Sequence, residues 1–311
     1  MSKIFLRVAA FIVGFTIVGL VHAVQPLLAP SELVALKGKN LRMIDIRDPK
    51  LYAEQHIPHS LSAPYGTWRG PSSNPGQIPD IAALTTLVQH LGLNTDSHAV
   101  VVSTGADTTD FGAAARVYWT LKVLGFKNLS ILNGGVKAWA DANLPLDNKT
   151  VTIAASQIKP SLNQSMIASR DDVVAKLGKK GTLLVDARPA AFFNGDNKHP
   201  AAKLAGTLQG AVNLENEVWF NPGATTFVST DKAKQIAKQG QFSTTEADET
   251  ISFCNTGHWA ATNWFALSEI VGKKNVKLYA GSMVDWTQAS TALPMDNVPN
   301  RAKQLLNDLK K

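Results

Sequence analysis

Cys254 is the only cysteine among the 311 residues, and it stands where the apolar run Glu249-Thr250-Ile251-Ser252-Phe253 gives way to Asn255-Thr256-Gly257-His258-Trp259 and a helical pattern. A strand, a short glycine-containing loop and a helix start aim several backbone N–H groups, and the positive end of the helix dipole, at one sulfur atom. Such a field favours the thiolate, which is the nucleophilic form of cysteine. The predicted chemistry is attack by sulfur on an electrophile, with the resulting anion held by main-chain dipoles. Gly257 gives the loop backbone conformations denied to other residues, although a turn glycine would occupy the same place. A lone cysteine is also commonly a small buried hydrophobe, so its place in the chain does not decide the matter alone.

The first residues read as an export signal. Lys3 and Arg7 precede an apolar stretch from Val8 to Val21, and Val21-His22-Ala23 resembles a cleavage site of small residues. The stretch is short for a membrane span, which needs about 20 residues, and an uncleaved anchor is the alternative reading. No second stretch of this kind occurs, so no stable membrane insertion is expected once residues 1–23 are removed, and the location expected is periplasmic or secreted. Removal lowers the formal charge from +7 to +5, with 29 cations left against 24 acids. A mild positive excess suits small anions, and the scattered basic residues carry no nucleic-acid motif. Exported proteins usually pair their cysteines, so an unpaired one is a candidate for chemistry. No cluster has zinc-like ligand spacing, and no metal or cofactor is expected. His56 and His59 flank Pro58 and read as loop residues.

The elements that must position Cys254 occur twice. Leu41-Arg42-Met43-Ile44-Asp45-Ile46-Arg47 matches Thr182-Leu183-Leu184-Val185-Asp186-Ala187-Arg188, each an apolar strand ending in Asp-x-Arg. Trp68 and Trp219 correspond, as do Val100-Val101-Val102-Ser103 and Ile251-Ser252-Phe253-Cys254, which aligns Ser103 with the cysteine. An amphipathic helix follows each, then a short strand, a glycine-led helix carrying Trp139 or Trp286, and Leu144-Pro145-Leu146-Asp147 or Leu293-Pro294-Met295-Asp296. Two copies of one domain are therefore expected, over 24–148 and 167–311, joined by a surface linker over 149–166 whose apolar Val151 and Ile153 can still dock on a domain. Short apolar strands alternating with helical segments predict an α/β fold with a parallel sheet flanked by helices on both faces in each copy. Functional groups in such sheets gather at strand carboxyl ends, where Cys254, Asp186 and Arg188 fall. Residues 301–311 read as a short charged helix.

These motifs, in order and twice over, resemble the rhodanese family of tandem sulfurtransferases, with an inactive first copy and a catalytic second. The likeness is carried by Ile44-Asp45-Ile46-Arg47 and Val185-Asp186-Ala187-Arg188, by Gln55-His56-Ile57-Pro58 and Gly206 to Leu214, by the loop Cys254 to Trp259, and by Asn133 to Trp139 and Ala280 to Trp286. It implies that the Cys254 thiolate takes the outer sulfur of a small anionic donor as a persulfide, without metal or organic cofactor, and passes it to a thiol or to cyanide. Thiosulfate is the favoured donor and 3-mercaptopyruvate the alternative. It also implies that Arg188 binds the anionic part of the donor, against a structural ion pair with Asp186, the pattern that Arg47 repeats. Lys198 and His199 lie in a stretch the first copy lacks, Asn194 to Lys203, read as a lip on the cleft, with Lys198 a weaker anion-binding candidate.

The loop departs from the family pattern at His258 and Trp259, fitting neither the thiosulfate-type loop, which carries a cation, nor the mercaptopyruvate-type loop, which ends in Ser or Thr. Asn255 and Thr256 can donate side-chain hydrogen bonds to an anion, His258 can supply charge or stay neutral, and Trp259 can wall the pocket. A cysteine-dependent phosphatase would need an arginine six positions after the cysteine, where Ala260 stands. A persulfide carrier without turnover needs the same cysteine and remains the rival class. The first copy, with Ser103 and a loop over Thr104 to Asp110 about four residues longer than its counterpart, is expected to have lost its anion cradle and to wall the cleft between domains.

Overall fold

The computed structural model describes residues 24–36, 38, 40–239 and 247–300. The proposed export segment 1–23 and the charged stretch 301–311 lie outside the described residues. The first copy is a five-stranded parallel sheet in the order β1-β5-β4-β2-β3, made of β1 (Leu27–Leu28), β2 (Leu41–Asp45), β3 (Leu61–Ser62), β4 (His98–Val102) and β5 (Asn128–Leu132). The second copy is a four-stranded parallel sheet in the order β10-β9-β6-β8, from β6 (Thr182–Asp186), β8 (Val212–Asn213), β9 (Glu249–Phe253) and β10 (Val276–Leu278). A small antiparallel pair, β7 (Thr207–Leu208) with β11 (Met295–Asp296), stands beside it.

Strands buried on both faces explain why β4 and β9 read as apolar runs without alternation. Four of the five residues in each are buried. Hydrogen bonds establish the equivalence of the copies residue by residue. Val136 N–H donates to the Ser103 carbonyl at 2.9 Å as Met283 N–H does to Cys254 at 3.0 Å, and Lys137 and Val284 repeat the pattern at Thr104 and Asn255. Ser103 therefore stands where Cys254 stands.

Two elements differ from the expectation. The helix after the Cys254 loop is α-helical over Trp259–Phe265 and then widens into a π turn over Ala266–Ile270. Residues 149–166 dock on the first copy through more than Val151 and Ile153: Ser156 N–H donates to the Gln89 carbonyl, Asn163 N–H to the Val123 carbonyl, and Ile158 and Leu162 join Val151 and Ile153 against the core.

The copies share one core. Helix Thr108–Val123 of the first copy lies against Trp259–Phe265 of the second, and Phe111 meets Phe220, Phe227 and Phe265 at ring-centroid distances of 5.2–5.7 Å. Tyr118 Oη donates to Glu269 at 2.8 Å, and Lys122 pairs with the same carboxylate. Packing the two post-loop helices together carries the first copy's loop side against the Cys254 loop.

Candidate active site

Cys254 follows β9, an interior strand between β10 and β6, and the chain turns at once into the loop. Gly257 makes the turn possible at φ 67°, and a Cβ there would stand 2.4 Å from the Ala280 carbonyl and 2.6 Å from Arg116 Nη1. Only glycine combines the left-handed backbone with that close approach. The thiol retains 1% of its exposure, so it is more enclosed than a strand-end nucleophile read from sequence.

The amides of the loop divide into two sets. Cys254 N–H and Gly257 N–H both donate to Ser282 Oγ, at 3.0 and 3.1 Å, and that hydroxyl donates in turn to the Tyr279 carbonyl. These two amides are committed to the Ser282 hydroxyl. The N–H groups of Asn255, Thr256, His258, Trp259 and Ala260 have no partner among the described residues. Unpaired amides beside a buried thiol are the donors an anion formed there would use.

In the first copy the same cradle is filled from within. Asp110 accepts from Thr104 N–H and from Gly105 N–H, the latter at 2.5 Å. The expected loss of that cradle is thus an occupation by the chain's own carboxylate.

Arg188 is placed differently from its expected role at the donor. It is 1% exposed, and its Nε and Nη2 grip Asp186 at 2.6–3.1 Å, as Arg47 grips Asp45. Nη2 also donates to the Gly206 carbonyl, and Nη1 donates to Asn255 Oδ1 at 3.3 Å. The guanidinium holds the strand end and Asn255, which thereby points its oxygen inward to Arg188. Lys198 is exposed and donates to the Ala202 carbonyl. Its lip is tied to the cleft by Gln288, whose amide donates to both Ala201 and Ser73 carbonyls.

The first copy clamps every residue of the loop from Thr256 to Trp259. Arg69 Nη2 donates to the Thr256 carbonyl at 2.9 Å, and Arg116 Nη1 donates to that of Gly257 at 3.4 Å. His258 Nε2 donates to the Thr109 carbonyl at 2.6 Å, which leaves Nδ1 to accept from Tyr65 Oη at 2.8 Å. Burial, and after it Arg69, lowers the His258 pKa to about 4. His258 is therefore a neutral strut and not a source of charge. Trp259 Nε1 donates to Thr109 Oγ1, and its ring meets Phe192 edge to face.

Tyr65, Arg69, Arg116 and Ser282 are the participants that sequence reasoning missed. Tyr65 and Arg116 each lie within electrostatic reach of Cys254 and of Arg69. Arg116 sits inside an apolar helix pattern and Arg69 in a Pro- and Gly-rich loop, so neither carried a local signal. Ser282 did: it replaces the second glycine of Asn133-Gly134-Gly135 in the first copy.

Comparison with known proteins agrees with this architecture. A rhodanese-like domain matches residues 29–142 and again 169–289. The chain is 31% identical over 259 residues to a protein named thiosulfate sulfurtransferase from Azotobacter vinelandii, covering 83% of this chain and 92% of that one. It is 30% identical to a probable 3-mercaptopyruvate sulfurtransferase from Pseudomonas aeruginosa, covering 84% and 94%. The crystal structure of SseA from Escherichia coli superposes with a TM-score of 0.71 at 24% identity, over 83% of this chain and 98% of that one, a likeness of fold.

Proposed function

The chain belongs to the rhodanese family, and on that footing we propose that it is a sulfurtransferase working through a persulfide on Cys254. The thiolate attacks the outer sulfur of thiosulfate, the S–S bond of the donor breaks, and sulfite leaves with the electron pair. An acceptor thiolate or cyanide then attacks the outer sulfur of the persulfide and returns the Cys254 thiolate. No redox partner is consumed in either half.

The observation that carries the reading is the placement of one thiol at a strand end, in a loop that has five unpaired amides and whose Thr256 and Gly257 carbonyls accept from two guanidiniums. Each amide stabilises charge on sulfur without reorganising during the reaction. Thiosulfate, a divalent anion, suits two facing cations better than a monocarboxylate does, and 3-mercaptopyruvate remains the comparison donor. The apolar segment behind Lys3 and Arg7 supports a periplasmic or secreted location, tested by N-terminal sequencing of the mature protein. No helix among the described residues is long and apolar enough to cross a membrane.

Mass spectrometry after incubation with each donor tests the reading. We expect a gain of one sulfur atom confined to the peptide containing Cys254, and Cys254→Ser to lose both the gain and turnover. One stoichiometric load followed by no turnover with cyanide would instead identify a carrier.

A further inference from the structure

Arg116 is the most unusual charge in the molecule. It is 0% exposed, lies in the middle of helix Thr108–Val123, and has no carboxylate within ion-pair distance among the described residues. Its Nη2 donates to the Gly76 carbonyl at 2.9 Å and its Nη1 to Gly257 at 3.4 Å, while Nε has no partner at all. A guanidinium has five N–H donors, so these two bonds leave most of its capacity unused. Burying a cation without a counter-charge is costly, and burial lowers the Arg116 pKa to about 9. Its guanidinium carbon lies 5.1 Å from the Trp119 ring centroid, a cation–π contact that occupies a face of the group and none of its N–H donors.

Arg69 repeats the pattern from another element. Its Nη2 is bound to the Thr256 carbonyl, its Nη1 is buried without a partner, and its guanidinium lies over Tyr65 at 5.1 Å. The two forks rest on the carbonyls of consecutive loop residues, and they repel each other. The loop from Cys254 to Trp259 carries no permanent cation of its own, and Arg188 is committed to Asp186.

We infer that Arg116 and Arg69, both from the copy without a cysteine, hold the oxyanion end of the donor, and that this pair selects a small divalent sulfur oxyanion over a monocarboxylate. The inference deepens the sulfur-transfer reading and rests on it. The unused N–H groups are the donors, the missing carboxylate is supplied by the ligand, and the departing sulfite carries its charge to the same pair. A charge-assisted fork onto oxygens gives geometry as well as attraction.

The test compares wild type, Arg69→Gln and Arg116→Lys, the last keeping charge while removing the fork so that a buried position still folds. Steady-state constants are measured with thiosulfate and with 3-mercaptopyruvate, cyanide being the acceptor, and thermal melting checks folding. The binding constant of sulfite is measured by tryptophan fluorescence in the Cys254→Ser background with and without each substitution. Removing the Arg69 charge, or the Arg116 fork, should raise KM for thiosulfate and weaken sulfite binding about tenfold or more, with kcat within about threefold. KM for 3-mercaptopyruvate should rise distinctly less. A residue that only staples the loop would lower kcat for both donors alike and leave sulfite binding unmoved, and that result overturns the assignment. If the wild type gains sulfur on Cys254 while both variants keep their KM for thiosulfate, this inference falls and the transfer reading stands. If the wild type gains sulfur from neither donor, both fall.

Discussion

Ser282 adopts φ 55° where Gly135, at the matching place in the first copy, adopts φ 57°. A left-handed backbone costs a residue with a Cβ about 1 kcal/mol or more, and such strain collects at functional sites. The return here is a hydroxyl that accepts from two loop amides, a contact glycine cannot make. Ser282→Ala keeps the strain and leaves two buried N–H groups unpaired, so a loss of about 1–3 kcal/mol is expected. Ser282→Gly loses the same bonds but relieves the backbone, so it should melt between wild type and the alanine variant while turnover drops in both. If the glycine variant melts no higher than the alanine one, backbone strain is not the cause. His258 supplies a second prediction. Its folded pKa of about 4 lies below the ordinary value of 6.5, so the unfolded chain binds the proton first as pH falls. The stabilising contribution is complete above pH about 6.5 and is lost on the way down through about 4. Chemical unfolding across that window should show wild type losing stability faster than His258→Gln. His98 and His199, also lowered by burial, contribute equally to both proteins. Cys254, Gly257 and the departure at His258 were legible because they break a local pattern. Arg69 and Arg116 were not, because their meaning is a partner more than a hundred residues away in the chain.

Helix Thr108–Val123 shows how one element can be kept while its chemistry is closed. Asp107 caps its first turn by accepting from Asp110 N–H, and Asp110 in turn occupies the amides of Thr104 and Gly105. A carboxylate at a helix start is stabilising, and here it also takes the anion's place. Asp110→Ala should cost about 1–2 kcal/mol, the range for losing a cap of this kind, and leave KM for thiosulfate unchanged. A shift in KM would mean that the first loop communicates with the site. The counterpart after Cys254 lacks any such carboxylate, which leaves its amides unpaired. The alternation of strands and helices was readable because each strand is an apolar run buried on both faces. The two-residue strand β1 and the hydrogen bonds that dock residues 149–166 beyond Val151 and Ile153 were not, since both depend on tertiary hydrogen bonds, such as Asn133 N–H to the Leu28 carbonyl, that impose no periodicity.

At the scale of the whole chain, duplication supplies what a single copy lacks. The second copy carries the thiol and the unpaired amides, and the first supplies side-chain or carbonyl partners to each of residues 256–259. That arrangement demands that the copies hold a fixed register, and the shared aromatic core provides it. Phe111 is 3% exposed and touches Phe220, Phe227 and Phe265, all of the second copy, while Asn133 Oδ1 accepts from Phe227 N–H at 2.9 Å. Inter-domain contacts that are polar and small permit the halves to move independently, whereas a continuous apolar core couples their unfolding. Phe111→Ala should therefore destabilise both copies together, by about 3–5 kcal/mol, as other buried Phe truncations do. Calorimetry is expected to show one transition moved to lower temperature, with sulfur transfer lost along the same curve as structure. Two separated transitions, with the Cys254 loop still active after the first, would mean that the second copy holds its site unaided and that the clamp from the first is dispensable.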